Sequence, residues 1–371
     1  MSLRIEPLVG ARVRGLSEYA PEPLEVVARR LGLPAERLIK LDANENPYGP
    51  TPRALAALQG YADYHRYPDA VSRDLRAALG EYLGVDPATI VVGNGSDELI
   101  DLLLKTFRPE GPGGLCSLID CPPTFGMYRF YATTNDLPVV DVPRCADFSV
   151  DVEALEAVCA RDPRPRLLFL ASPNNPDGRL LPGEVLERVL DLPVVLVLDE
   201  AYVDFSEASR VRLVAERENL IVLRTFSKWA GLAGLRVGYG VFPAPLMPAL
   251  CRLKSPYNVN VAAQVAALAT LEDVAVARER AACLVAERER LVDEVRGIGG
   301  LRVFPSDANF VLFDARGVGV ERLRGAMEAR GIILRYHSGP GLDGHVRVTV
   351  GTPEENDAVL EVLRTLGGRA S

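Results

Sequence analysis

Four short stretches of the chain carry side chains that do chemistry, and each follows a run of branched apolar residues. Lys228 stands in TFSKWAGLAGLRVGYG (225–240), among small, apolar and glycine residues, with Arg236 eight positions later. Asp199 ends the run PVVLVLD, and Tyr202 comes one helical turn on. Asn175 follows RLLFLAS within SPNNPDG, and the turn Gly93-Asn94-Gly95-Ser96 follows TIVV. Each has a plain reading by itself. An aspartate after a strand caps a helix, SPNNPDG is a good turn, GNGSDE is a tight strand-to-helix connection, and a lone lysine is solvated surface.

Together they have a second reading. A glycine-containing turn into a helix N-terminus offers free amide hydrogens to a phosphate. Ser227 and Arg236 add a hydroxyl and a fixed cation for the same anion. Asp199 offers a carboxylate to a protonated ring nitrogen, and Asn175 and Tyr202 offer donors to a phenolic oxygen. Lys228 offers an amine for a Schiff base. A phosphate, a pyridinium, a phenolate and an aldehyde in one molecule describe pyridoxal 5'-phosphate (PLP).

Those residues need elements that bring them to one edge. The runs before them are four to seven residues long and rich in Val, Leu and Ile, as strands buried on both faces are. Helical patterns lie between, such as LIDLLLKTF (99–107), opened by Ser96, Asp97 and Glu98. Alternation of this kind predicts a mostly parallel, doubly wound α/β sheet. Ligands of such sheets bind beyond the carboxyl ends of the strands, where all four groups fall. After about residue 255 the pattern changes. Long helix patterns precede the strand candidates LRVFP, NFVLFDA, GIILRYH and HVRVTVG, with VERLRGAMEARG between them. This predicts a smaller α+β domain with an antiparallel sheet. The resulting division is an N-terminal arm (1–40), a large domain (41–255) and a small C-terminal domain (256–371).

Composition narrows the function class. The 371 residues are 48% hydrophobic and 25% charged, ordinary for a globular protein. Lys+Arg total 42 against Asp+Glu 50, a net charge of -8 with no like-charge block, which argues against nucleic acid or an anionic membrane as partner. No apolar run is long enough to span a bilayer, and Met1 to Arg14 lack the apolar core of a signal peptide. Six cysteines (116, 121, 145, 159, 251, 283) lack CxxC spacing and read as reduced, mostly buried thiols in the cytoplasm. With only His65, His337 and His345, no metal site is expected.

SPNNPDG, DEAYVDF and the lysine segment resemble the three core motifs of fold-type I PLP aminotransferases. LDANENPYGP (41–50), RYPD (66–69) and CPPTFGMY (121–128) narrow the resemblance to the histidinol-phosphate aminotransferase branch, from Ser17 to Gly351. The resemblance implies transamination between L-histidinol phosphate and 2-oxoglutarate, giving imidazole acetol phosphate and glutamate, in histidine biosynthesis. It implies Lys228 as covalent anchor and then general acid and base, Asp199 at the ring nitrogen, and Asn175 and Tyr202 at the phenolic oxygen. The amides of Ser96 and Asp97, with Thr225, Ser227 and Arg236, are expected at the cofactor phosphate. Phe125 is expected to stack on the ring where the family often has tyrosine. Tyr67 is expected to reach the neighbouring subunit's phosphate, which implies a homodimer with shared active sites. Arg335 and Arg347, with Tyr19 and Asn46, are expected at the substrate phosphate. By pattern alone, Arg335 also reads as a surface strand residue. A different aminotransferase, the related threonine-phosphate decarboxylase, and the PLP-fold domain of a transcription regulator remain the alternatives. The last needs a DNA-binding domain for which this chain has neither spare length nor a basic helix.

Overall fold

A computed structural model describes residues 4–368 apart from 17–21, 108–116, 163 and 165. Two sheets organise it. The larger is built from β2 (Ile90–Gly93), β3 (Leu118–Asp120), β4 (Val139–Asp141), β5 (Arg166–Ala171), β6 (Val194–Asp199), β7 (Leu220–Thr225) and β8 (Gly238–Val241), in the order β2-β8-β7-β6-β5-β3-β4. The pairs β4/β3, β3/β5, β5/β6 and β6/β7 are parallel, while β8 runs antiparallel to both β7 and β2. The sheet is therefore mostly parallel, as the apolar runs predict, with one reversed strand that they do not reveal.

Burial explains why those runs are continuous rather than alternating. Leu168, Leu170, Leu196, Leu198 and Val222 belong to one buried cluster, and Leu167, Phe169, Val197, Ile221 and Leu223 to another. Successive strand residues point to opposite faces, and helices cover both, so every position has to be apolar. Each fully buried Leu, Val or Phe contributes about 1.5 to 3 kcal/mol relative to exposure. The same registers align the functional edge. Ala171 pairs with Asp199, Asp199 with Leu223, and Thr225 with Gly238, which in turn pairs with Gly93. The carboxyl ends of β5, β6, β7 and β2 thus share one rim with the start of β8.

The smaller sheet has the order β1-β11-β12-β10-β9, from β1 (Ile39–Leu41), β9 (Arg302–Val303), β10 (Phe310–Asp314), β11 (Ile332–Tyr336) and β12 (His345–Thr349). The four C-terminal strand candidates all form, and their mutual pairings are antiparallel. The fifth strand comes from the other end of the chain: β1 pairs parallel with β11, Ile39 opposite Ile332. The sheet is therefore mixed, and the chain passes from it directly into the LDANENP segment. The predicted helices over the C-terminal region appear as Val261–Glu272, Val274–Arg296 and Val320–Glu328. Of the described cysteines, Cys121 and Cys159 are buried but Cys145, Cys251 and Cys283 are exposed, so the thiols are not mostly buried. Their hydropathy fits a core, but Cys251 and Cys283 lie on outward helix faces and Cys145 in a turn. Among the described residues, no helix is long and apolar enough to cross a membrane.

Candidate active site

At the shared rim lies a cavity of about 350 Å³, and the residues predicted at the cofactor, Tyr67 apart, line it together: Ser96, Asp97, Phe125, Asn175, Asp199, Tyr202, Thr225, Ser227, Lys228 and Arg236. A larger hollow, about 1010 Å³, lies between Tyr82, the stretch 203–213 and the helix Val274–Arg296. There Arg224 donates to Asp204 and lies 4.0 Å from Glu200. The convergent titratable groups are in the smaller cavity.

The anion corner is built by close backbone approach. The helix Gly95–Thr106 starts at the rim, so the free amides of its first turn face the cavity end of the sheet. Gly238 allows this: a Cβ there would stand 2.5 Å from the Ser96 amide nitrogen. Gly95 has φ +74°, and a Cβ on it would meet the Arg236 guanidinium at 2.6 Å. Arg236 lies 3.2 Å from the Asp97 carboxylate, and the Thr225 hydroxyl donates to Ser227 Oγ at 2.8 Å. Two hydroxyls, a guanidinium and helix N-terminal amides thus share one corner.

Beside it, Asp199 is buried at the end of β6. Its Oδ2 accepts from the Tyr128 hydroxyl at 2.7 Å and its Oδ1 from the Ala201 amide at 3.0 Å. Burial pushes its carboxyl up to about 6, against the pull of the Tyr128 bond. Among the described residues no cation pairs with it. Lys228 is half-buried, and its Nζ donates to the Ala43 carbonyl at 3.0 Å, 5.8 Å from the centre of the Tyr202 ring. Burial first, and then the Arg347 charge, lower its pKa to about 8. Desolvation raises Tyr202. A partly desolvated amine with a depressed pKa, and a buried carboxyl that no cation among the described residues pairs with, are costly for folding alone and useful to a bound group.

The remaining predicted residues are dispersed. Arg347, in β12, is buried; it donates through Nη1 to Asn175 Oδ1 at 2.5 Å and through Nη2 to the Asp42 carbonyl at 2.6 Å. Arg335 is its register partner on β11 but is exposed and does not line the cavity. Asn46 is buried and donates to the Trp229 carbonyl at 2.9 Å; it lines an adjoining cavity of about 440 Å³ that shares Glu45, Ser227, Ala233 and Gly234. Tyr67 is 81% exposed and stacks on Tyr257 at 4.5 Å, outside the cavity. Tyr19 lies outside the described residues.

Sequence reasoning missed Tyr128, although it closes the CPPTFGMY motif, and it missed Asn44, which donates to the Tyr202 hydroxyl at 3.0 Å. Both contacts link distant parts of the chain, so spacing carries no signal of them. The donor set fits PLP. Helix amides, hydroxyls and Arg236 suit its phosphate. Asp199, buried without a cation, suits a protonated ring nitrogen. Lys228 supplies an amine that lines the cavity.

Comparison with known proteins identifies the family. The family model "Aminotransferase class I and II" matches residues 36–363. The chain is 48% identical, over 98% of its length and 99% of the relative's, to a histidinol-phosphate aminotransferase of Roseiflexus castenholzii. It is 47% identical over 94% of its length to a chloroplastic histidinol-phosphate aminotransferase of Nicotiana plumbaginifolia, covering 84% of that protein. The structure of histidinol-phosphate aminotransferase from Sinorhizobium meliloti, solved in complex with pyridoxal-5'-phosphate, superposes with a TM-score of 0.82 at 28% identity, over 96% of this chain and 98% of that one. The chain belongs to the class I and II aminotransferase family, and its fold is that of the fold-type I enzymes.

Proposed function

We propose that this chain transfers the amino group of L-histidinol phosphate to 2-oxoglutarate, as a PLP-dependent enzyme of histidine biosynthesis. The observation that carries the proposal is the convergence of Lys228, Asp199, Asn175, Tyr202 and the anion corner on one cavity. The substrate is supported by the relatives, which bear that name over nearly the whole chain. When bound, PLP would supply an aldehyde that takes up the amino group and a ring that withdraws electrons from the substrate carbon.

The side chains do the rest. Lys228, with its pKa lowered to about 8, keeps a neutral fraction at physiological pH and can accept the proton of the substrate carbon and return it. Asp199 in its ionised form holds a proton on the ring nitrogen. Tyr202 and Asn175 orient the phenolic oxygen. Ser96, Asp97, Thr225, Ser227 and Arg236 bind the cofactor phosphate, and Phe125 shields the ring. Arg347 and Arg335, with Tyr19 and Asn46, serve the substrate phosphate, where guanidinium forks suit an oxyanion. Tyr67, exposed here, suits a homodimer in which it completes the partner's site. We read residues 1–40 as an arm, 41–255 as the large domain and 256–371 as the small domain, in a cytoplasmic enzyme. The test is an absorbance titration of the PLP-loaded protein with histidinol phosphate and then 2-oxoglutarate. Reversible spectral change with each, and glutamate as product, support the reading. Release of CO2 from a phosphorylated amino acid instead would overturn it.

A further inference from the structure

The loop between β1 and the helix Pro52–Gly60 touches the cavity at successive residues. The Asp42 carbonyl accepts from Arg347, the Ala43 carbonyl from Lys228, and Asn44 donates to Tyr202. Asn44 is 1% exposed and has φ 55°, a left-handed conformation that asparagine tolerates better than most residues. Its other contacts tie it to β12. Its backbone N–H donates to Thr349 Oγ1 at 2.9 Å, and the Thr349 hydroxyl donates to Asn44 Oδ1 at 3.2 Å. With Oδ1 accepting from Thr349, Nδ2 is the group directed at the Tyr202 oxygen, at 3.0 Å. The Asn309 amide holds the Asn44 carbonyl at 3.1 Å, so the loop is tied to the smaller sheet on both sides.

We propose that Asn44 is a positioning residue: by donating to the Tyr202 oxygen, it turns the phenolic proton of Tyr202 into the cavity, toward an acceptor on the bound cofactor. A hydroxyl has one proton. With Asn44 occupying a lone pair as donor, Tyr202 keeps its proton for the ligand. The inference rests on PLP being that ligand, with its phenolic oxygen as the acceptor. Because Asn44 is held by Thr349 of β12, the smaller sheet fixes the direction of a hydrogen bond whose donor belongs to the larger one.

The test compares PLP with 3-deoxypyridoxal 5'-phosphate, which lacks the acceptor oxygen. Binding is read by quenching of Trp229, the chain's single tryptophan and the neighbour of Lys228. Asn44→Asp keeps the shape and the Thr349 contact but can only accept from Tyr202 when ionised, so it turns the phenolic proton away. Asn44→Gly tolerates the same backbone and removes the donor. Both should cut the preference for PLP over the deoxy analogue by about tenfold or more, the range of one hydrogen bond to a charged acceptor, with little change for the analogue itself. In a Tyr202→Phe background, Asn44→Gly should cut the preference no further, because the residue acts through Tyr202. Wild-type preference retained in both single variants, or an equal further loss in the Tyr202→Phe background, overturns the inference alone. Wild type that does not bind PLP overturns the cofactor reading and this inference with it.

Discussion

The larger sheet and the 42–46 loop feed the same cavity by different means. The sheet delivers functional groups: Asp199 at the end of β6, Thr225 at the end of β7 with Ser227 and Lys228 just beyond, and Asn175 just past β5. Register brings these ends together, and each residue lies at the end of its strand or within a few residues beyond it. The loop, tied to the smaller sheet, delivers orientation: carbonyls for Lys228 and Arg347, and amide donors for Tyr202 and the Trp229 carbonyl. Chemistry is local to the strand ends, and its alignment is contributed from across the molecule. Removing a strand-end group should therefore remove a chemical step. Removing a group from the smaller sheet should change which substrate is accepted.

The largest expected effect is at Lys228. Lys228→Ala should abolish turnover while the far-ultraviolet circular dichroism and thermal midpoint stay near wild type, since the amine is a burden to folding rather than a support. Arginine should not rescue it, because its guanidinium stays protonated. Borohydride treatment of the PLP-loaded wild type should fix the cofactor on Lys228, as peptide mapping would read. A label on Lys40, Lys105 or Lys254 would break the comparison at its strongest point.

Asp199→Asn should come next, with cofactor still bound and kcat down about 100-fold or more, roughly 3 kcal/mol in the barrier. An amide cannot hold a proton on the ring nitrogen. Near-normal turnover would mean the carboxylate serves the fold and not the ring.

Much of this was legible because strand ends are readable. A run such as PVVLVLD states both a buried strand and the residue at its carboxyl end, so Asn175, Asp199, Ser227 and Lys228 could be placed on one rim without coordinates. Pairings between remote segments were not readable. β1 is three residues long, too short for any period, and it pairs with a strand almost 300 positions away, Ile39 with Ile332. β8 gives no sign of its direction, because a four-residue buried strand reads the same either way. Tyr128 and Asn44 look like ordinary core and turn residues until folding brings them to Asp199 and Tyr202. Arg335 and Arg347 look equivalent in sequence, and only the structure separates them: one is exposed, the other buried against Asn175 and Asp42.

That difference gives the third prediction. Arg347→Ala and Arg335→Ala should both lower kcat/KM for histidinol phosphate relative to free histidinol, each by about one to two powers of ten if its guanidinium meets the phosphate, at roughly 1.5 to 3 kcal/mol per charge-assisted bond. Arg347→Ala should also weaken the glutamate half-reaction and lower the thermal midpoint, because it leaves Asn175 and the Asp42 carbonyl without their donor. Arg335→Ala, at an exposed position, should leave the midpoint unchanged. Equal midpoint losses, or an unchanged substrate ratio in both, would dissolve the distinction between the two arginines.

The smallest effect should come from Tyr128→Phe, and it tests whether orientation also operates within the larger sheet. The Tyr128 hydroxyl, at 2.7 Å, opposes the burial that raises Asp199 to about 6. Without it the carboxyl should rise further, and one hydrogen bond to a charged group is worth about 1.5 to 3 kcal/mol at most. The sign for stability follows from linkage. In the cofactor-free chain, folded Asp199 holds its proton up to about 6, while the unfolded carboxyl releases it near the ordinary aspartate value of 3.8. The folded state therefore binds more protons between those values. The stability Asp199 contributes is full below the lower one and is lost as pH rises through the upper one. Tyr128→Phe should extend that loss to higher pH, and Asp199→Asn should remove it. The measurement is the difference in denaturant midpoint between each variant and wild type from pH 4 to pH 8. Other buried carboxyls, Glu200 and Asp177 among them, are also raised, so only the differences report on Asp199. In the PLP-loaded enzyme the same substitution should lower kcat by only a few-fold, because a ring nitrogen that shares its proton with Asp199 holds that carboxylate ionised. A loss as large as that of Asp199→Asn would mean that Tyr128 takes part in the chemistry itself. The division between groups that react and groups that align would then run through the larger sheet rather than between it and the loop.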